Sequence, residues 1–430
     1  MRIGIFSDRY LPQIDGVCYS IETFRQQLEG MGHEVYIFAP RPAWNYHERS
    51  NHVIRFPAVR GLFFEDYLLT LYFPPQAIRK IDKLNLDVVH FQTPGQIGLL
   101  GAYYATHYNK PLITTYHTDL FQYVLDYPNV MPGTVALSML VPAITKGGRE
   151  EYRQIMSSIR PERNINAWHQ KILARSITVL HNQCDLVITP SHKIKTQLES
   201  WETTSKIAVL PTGVEKIATN PAEISAARRK YGISLDDQVI SCVCRIGTEK
   251  NISLLIQAFA AIARRNDRAK LMLVGAGDDL ERFMEQAAQT NYTDRIVFTG
   301  QIDRKKLGAI YGLSSVFAFP SLKDTQGLAV NEAACAGLPI VIVDHQISEV
   351  VRDGQNGYFA NNSTRDFAAK ITQILEATDE QRHKMSQRST ELGSQVTPGK
   401  QASKLLRLYE EAIEDHSDKP QLKNPKSAQR

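Results

Sequence analysis

The chain has 430 residues, 43% hydrophobic and 22% charged, with a formal net charge of +5, the profile of a soluble globular protein of two or three domains. That mild charge gives no case for a nucleic-acid partner, and five scattered cysteines are too few for a disulfide framework. No uninterrupted apolar run approaches the length needed to span a bilayer, and the first six residues read as a strand and not as a signal peptide.

In chain order, residues 2–7 read as a strand, the loop with Pro12 and Gly16 leads to a helix over 17–31, and 34–39 is the next strand. Strands over 87–91 and 111–116 flank a helix over 96–107. A strand over 184–189, a short helix from Ser191 and a strand over 206–210 complete this half. Between 128 and 181 the alternation stops, which marks an elaboration of the first domain. Residues 211–237 are rich in Pro, Gly and polar side chains and read as a linker. The second half alternates again: strands near 239–244, 270–275, 295–299, 315–319 and 339–343, with helices near 252–265, 279–289, 304–313, 328–336, 364–377 and 380–392. The expected fold class is α/β: two doubly wound, Rossmann-like domains over 1–212 and 237–398, joined by 213–236 and facing across a cleft. A last helix, 399–415, follows Pro398, and the basic segment 416–430 is expected to be disordered.

The run KDTQGLAVNEAACAGLP carries most information. Asp324 falls on a loop after a strand, and Glu332 lies about one turn inside the following helix. Two carboxylates eight positions apart then approach one pocket from two directions, where a doubly wound sheet binds anionic ligands. CRIGTEKN, residues 244–251, ends a buried strand with a glycine turn flanked by Arg245 and Lys250. Arg supplies a two-pronged donor and Lys a compact charge, a pairing suited to phosphate; by itself it equally suits a solvated basic turn. DRYLPQIDGV brings Gly16 to the start of a helix, where a backbone N–H can approach a phosphate, although an ordinary loop has the same pattern. His117, just past the strand in TTYHTDLFQY, either packs as a loop histidine or reaches a cleft. LVGAGDD places Gly275 in a G-x-G that suits a turn beneath a base or ribose; the complete G-x-G-x-x-G of a dinucleotide fold is missing. Cys242 and Cys244 form a C-x-C that reads as core packing, because a second pair at metal-site spacing is missing. With no Asp-x-Asp and no His-x-x-x-His, no metal and no cofactor is implied, and a departing diphosphate would be neutralised by Arg245, Lys250 and helix amino ends.

Taken together these motifs resemble the family 4 retaining glycosyltransferases, which have the GT-B fold. CRIGTEKN is similar to that family's phosphate loop, with Cys244 where glycine is usual. VFTGQIDRKKL, with Ile302, is similar to its base-proximal loop, DTQGLAVNE to its E-x7-E element with Asp324 for the first glutamate, and LPTGVE to the segment leaving the first domain. The resemblance implies that Glu332 holds ribose hydroxyls, and that Asp324 with backbone N–H groups of Thr325, Gln326, Gly327 and Leu328 holds sugar hydroxyls. Arg245 and Lys250, helped by Gly16, would hold the diphosphate, and His117 would contact the transferred sugar. It further implies that the helix 399–415 crosses back onto the first domain. HFQTPGQIGLLGAYYA and TTYHTDLFQYV are similar to the branch that glycosylates diacylglycerol and related envelope lipids. The aromatic run 55–75 and Arg149, Arg153, Arg160, Arg163, Lys171 and Arg175 suit an anionic membrane surface, or else a buried aromatic cluster beside a solvated helix. The expectation is therefore a peripheral enzyme on the cytoplasmic face of the membrane, moving glucose from UDP-glucose to a diacylglycerol-type acceptor with α-linkage. Rival readings are GDP-mannose or a soluble acceptor, a Rossmann-type oxidoreductase, and an inactive sugar-nucleotide binder.

Overall fold

The computed structural model describes residues 1–13, 15–60, 68–70, 73, 75–117, 131–145, 148–160 and 163–418. The sequence-predicted lipid-facing run 55–75 therefore lies partly, and the motif residues 118–124 and the tail 419–430 wholly, outside the described residues. The chain divides into two compact units. One comprises Met1–Pro190, Ile194–Leu210 and the chain from Gln401 on; the other comprises Ser191–Lys193 and Pro211–Lys400.

The first unit holds strands β1 (Arg2–Phe6), β2 (Glu34–Pro40), β3 (Val53–Phe56), β4 (Ala58–Arg60), β5 (Leu68–Thr70), β6 (Val88–Phe91), β7 (Leu112–Thr115), β8 (Leu186–Thr189) and β9 (Ile207–Val209). Among the described residues they form a seven-stranded sheet in the order β3-β2-β1-β6-β7-β8-β9, parallel at every pairing, and an antiparallel β4-β5 ribbon. The central strands are near-continuous apolar runs because helices cover both faces and no side of the pleat meets water. Those helices are α1 (Gly16–Gly30), α2 (Pro75–Lys83), α3 (Gln96–Tyr108), α4 (Met131–Ile144), α5 (Arg149–Ser158), α6 (Ile165–His181) and α7 (His192–Ser200). Among the described residues, the stretch where alternation lapses holds three successive helices, α4 to α6.

The second unit has a six-stranded parallel sheet, β10 (Gln238–Val243), β11 (Ala269–Val274), β12 (Ile296–Phe298), β13 (Val316–Phe319), β14 (Ile340–Ile342) and β15 (Gly357–Phe359), ordered β12-β11-β10-β13-β14-β15. Its helices are α8 (Pro221–Tyr231), α9 (Ile252–Ala263), α10 (Leu280–Ala288), α11 (Leu307–Leu313), α12 (Leu328–Cys335), α13 (Thr364–Leu375) and α14 (Asp379–Gly393). The last helix, α15 (Pro398–Ser417), contributes Leu405, Tyr409 and Ala412 to the core of the first unit. In both sheets the strand order reverses once, at β1/β6 and at β10/β13. Loops leaving the carboxyl ends of such a pair diverge and open a crevice, the general ligand position in doubly wound folds.

Two differences from the sequence reading have local causes. The expected linker 213–236 contains α8: Asn220 caps it by accepting from Ala222 N–H, Pro221 occupies the first turn, and Gly232 ends it at φ 64°. Its Ile224 packs so closely on α11 that a Cβ at Gly312 would sit 2.7 Å from it. The strand β15 has only three residues and no alternation to betray it. Gly357 lies where a Cβ would be 1.8 Å from the carbonyl oxygen of Ile340, so the close strand approach needs glycine.

Three histidines of the first unit are held neutral by burial. His90 bonds through Nδ1 to the Tyr409 hydroxyl at 2.7 Å and through Nε2 to Thr115 Oγ1 at 2.8 Å, and desolvation lowers its pKa to about 3. Desolvation also lowers His181 to about 3 and His117 to about 4. Between those values and the ordinary 6.5 the unfolded chain binds protons that the folded chain refuses, so stability falls as pH falls through this window. Each group contributes about 1.4 kcal/mol per pH unit below 6.5. All three tryptophans, Trp44, Trp168 and Trp201, lie in this unit, so their fluorescence reports its unfolding alone. Urea midpoints followed this way should drop steeply on acidification from neutrality, and His181→Phe should remove one proton's worth of that slope.

Candidate active site

Strands β10 and β13 pair in parallel, Ile240 beside Val316 and Ser241 beside Phe317, and both run out at the same edge. Beyond β10 the chain passes Cys244 and Arg245, makes one 3-10 turn over Thr248–Lys250, and enters α9 through Asn251, whose left-handed φ of 56° redirects the backbone. Asp279 braces this turn, accepting from Thr248 N–H at 2.7 Å and Thr248 Oγ1–H at 2.8 Å; those two bonds hold its carboxyl below the usual range. The G-x-G beneath is a packing requirement. A Cβ on Gly275, at φ 141°, would lie 1.9 Å from the Cys244 carbonyl oxygen, and one on Gly277 would lie 2.2 Å from that of Ile246.

The turn delivers Lys250 to Asp324, Nζ to Oδ1 at 2.5 Å, with side chains only 18% and 15% exposed. Burial opposes the charge on Lys250, but Asp324 outweighs it and the lysine pKa rises. The other carboxylate oxygen, Asp324 Oδ2, is buried and has no protein partner. Arg245, half-exposed, pairs with Glu249 at 2.8 Å. Glu332 lies in α12, where the Tyr311 hydroxyl donates to Oε2 at 2.8 Å and Arg304 forms an ion pair with Oε1. Burial still prevails and raises the pKa of Glu332. The Cys242 thiol is buried, and its neighbour Cys244, with burial, pushes its pKa up. Arg245 and Lys250 follow β10, and Asp324 and Glu332 follow β13, the two strands of the switch point, and the Lys250–Asp324 pair joins the two loops.

The other residues singled out from sequence have mixed positions. The amide of Gly327 donates to the Ile347 carbonyl at 3.4 Å and that of Leu328 to the Gln326 carbonyl at 3.0 Å, so both already have protein acceptors. The Gln326 side chain clamps Thr212 from both sides: its Oε1 accepts from Thr212 N–H at 2.9 Å and its Nε2 donates to the Thr212 carbonyl at 3.0 Å. Thr325 follows Asp324 on the same loop, and Ile302 packs half-buried on the core beyond β12. Sequence reasoning missed Tyr311 and Arg304. Tyr311 looked like one more core aromatic, and Arg304 was one of three consecutive cations. Cys242 and Cys244 bring their sulfurs to 3.8 Å, both as free thiols. Among the described residues no group of three or more His, Cys, Asp or Glu side chains is placed to hold a metal ion.

His117 and Gly16 belong to the first unit. His117 follows β7 and its Nε2 lies 2.5 Å from Gln92 Oε1, at the end of β6. Gly16 is exposed at the start of α1, whose cap Asp15 accepts from Cys18 N–H at 2.8 Å and pairs with Arg9 at 2.5 Å. At this unit's own switch point the helix N-terminus is already filled. Buried Asp8 accepts from Thr93 Oγ1–H at 2.6 Å, Ile97 N–H at 2.8 Å and Gly98 N–H at 3.4 Å. The anion place at α3 is taken by the chain's own carboxylate.

Residues 14–216 match the model described as Glycosyltransferase Family 4, and residues 223–392 match Glycosyl transferases group 1. The chain is 30% identical over 404 residues to an alpha-monoglucosyldiacylglycerol synthase of Streptococcus pneumoniae, across 92% of this chain and 83% of that protein. The chain belongs to the family 4 glycosyltransferases. A second alpha-monoglucosyldiacylglycerol synthase, from Acholeplasma laidlawii, is 28% identical over 374 residues, 84% of this chain and 85% of its own. A GDP-mannose-dependent alpha-mannosyltransferase of Corynebacterium glutamicum is 24% identical over 348 residues, 79% of this chain and 72% of its own. Among solved structures, sucrose-phosphate synthase from Thermosynechococcus elongatus superposes with a TM-score of 0.69 at 17% identity, covering 96% of this chain and 99% of that one. Anabaena HepE in complex with UDP gives 0.69 at 16% identity, covering 96% and 100%. The two parallel-sheet Rossmann-like units are those of the GT-B fold. As a family 4 glycosyltransferase the protein is a transferase, which sets aside the oxidoreductase reading.

Proposed function

We propose that this glycosyltransferase moves a hexose, glucose from UDP-glucose, onto a diacylglycerol-type lipid with retention of the α-configuration and without a metal. The observation that carries the donor half is the buried Lys250–Asp324 pair at the β10/β13 switch point, with Asp324 Oδ2 left without a protein partner. An unpaired buried carboxylate oxygen is costly, and a sugar hydroxyl would satisfy it. Lys250 and Arg245 would neutralise the diphosphate, helped by the backbone at Gly16, and Glu332 would accept the ribose hydroxyls. Protein acceptors already bonded to the amides of Gly327 and Leu328 make these the weaker sugar ligands. His117, neutral at physiological pH because of its desolvation, would lie against the sugar without adding charge to a developing oxocarbenium ion. The leaving phosphate would take the acceptor's proton on the face from which it departs, which preserves the anomeric configuration.

The acceptor half rests on kinship with two alpha-monoglucosyldiacylglycerol synthases across most of the chain and on one surface of the first unit. Helices α4 to α6 expose Leu140, Tyr152, Met156 and Ile165 among exposed Arg149, Arg153, Arg160, Arg163 and Lys171. Apolar side chains interleaved with cations suit an anionic bilayer, each cation adding about 1 kcal/mol near the surface. Among the described residues no helix is long and apolar enough to cross a membrane. The reading places the enzyme peripherally on the cytoplasmic face, where this surface would meet anionic lipid.

A donor screen tests the reading. Release of UDP, GDP and ADP from their glucose, galactose and mannose conjugates is measured with and without diacylglycerol in anionic vesicles. The expected result is UDP release from UDP-glucose that rises with diacylglycerol and yields an α-glucosyl lipid. Release from GDP-mannose instead would move the donor assignment toward the mannosyltransferase relatives. Turnover indifferent to the lipid would defeat the acceptor assignment.

A further inference from the structure

Glu332 is shared by two side chains from different elements. Tyr311, buried in α11 and packed edge-on against Phe317 at 6.1 Å, donates to Oε2 and is fixed by its surroundings. Arg304, on the single turn before α11, reaches Oε1 and remains about a third exposed (35%). The titratable groups around the carboxylate are Arg304 from that turn, Tyr311 from α11 and Cys335 from α12 itself; Tyr311 in turn faces Cys242. Lys216 acts on Cys335, so among the described residues Arg304 is the cation that meets Glu332 directly. A carboxylate offers about four lone-pair sites. One taken by the phenol and one by the guanidinium leave two, the number needed for the two hydroxyls of a ribose.

We infer that Arg304 is a positioning residue: it keeps Glu332 ionised and turned so that its two remaining lone pairs accept the vicinal hydroxyls of the donor's ribose. The inference rests on the assignment of Glu332 to the ribose. A protonated Glu332 would lose acceptor capacity and present a competing donor, so donor recognition requires the anion. Burial already pushes the Glu332 proton affinity up against the pull of Arg304. Without the guanidinium nothing opposes burial except the Tyr311 hydrogen bond, and protonation begins at higher pH. The sign follows: kcat/KM for the donor falls on acidification, and it begins to fall closer to neutrality when Arg304 is gone.

The test is the pH profile of kcat/KM for UDP-glucose. Arg304→Ala and Arg304→Gln should both move the acid limb toward neutral pH and lose roughly tenfold for each pH unit below the shifted midpoint. Their alkaline plateaus should fall by a smaller, pH-independent factor, because Glu332 also loses the contact that turns it. Arg304→Lys should restore the original limb. Glu332→Gln should bind donor weakly at every pH, with no such limb. If both neutral variants at Arg304 lower kcat/KM by one constant factor at every pH, or change nothing, Arg304 only braces the loop and the inference is overturned. If Glu332→Gln and Glu332→Ala use UDP-glucose as well as the unaltered enzyme does, the ribose assignment itself fails and the inference falls with it, whatever Arg304 does.

Discussion

Lys250→Ala should lower kcat/KM for the nucleotide sugar by roughly 10²- to 10³-fold, the usual cost of removing one preorganised charge partner of a departing group. It should also destabilise the second unit by about 3–5 kcal/mol, because Asp324, with one oxygen already unpaired, would become an isolated buried charge. The two effects can be separated. Lys250→Ala combined with Asp324→Ala removes both charges and should regain much of the stability while activity stays lost. A double variant that regains neither, or a single variant of ordinary activity, would mean that the pair holds the fold and has no part in the chemistry. Denaturation curves and steady-state rates on the four proteins of this cycle provide the measurement.

Glu332→Ala should raise the donor KM by roughly 10- to 150-fold with a much smaller change in kcat, the range expected when hydrogen bonds from a ligand to a charged acceptor are lost. Ribose lies away from the bond that breaks, so its contacts serve ground and transition states nearly alike. The phenol of Tyr311 would lose its acceptor in a buried position, so a fall in thermal stability should accompany the rise in KM. A drop in kcat with KM unchanged would move Glu332 from the pentose to the reacting sugar.

Much of this site was legible in the sequence because its parts lie at fixed offsets from strong elements. A buried strand followed by glycine, Arg and Lys locates the β10 turn, and an apolar strand followed by a polar loop and a helix locates Asp324 and Glu332 to within a residue or two. What stayed hidden depends on contacts between distant segments. Nothing near Arg304 says that it reaches across to α12, nor that Tyr311 donates to a carboxylate twenty-one positions on. Gln326 entered the sequence reading for its backbone N–H alone, and nothing near it says that its side chain bonds to the backbone of Thr212. The G-x-G at Gly275 suggested a ligand turn, whereas backbone packing against Cys244 and Ile246 is enough to require it. Helix α8 was missed although Asn220, Pro221 and Gly232 are ordinary start and stop signals, because the polar stretch around them resembled a tether. Strands β3 and β15 lack the uninterrupted apolar run that marks equally short strands such as β14, since each has half-exposed positions.

The most direct test of the central claim is calorimetric titration of UDP and of UMP into the intact protein and into Lys250→Ala. If cations at the β10/β13 switch point hold a diphosphate, UDP binds far more tightly than UMP, the difference weakens as salt is raised, and it collapses in the variant. Equal affinity for the two nucleotides, or a preference for UDP that survives loss of Lys250, would contradict the account.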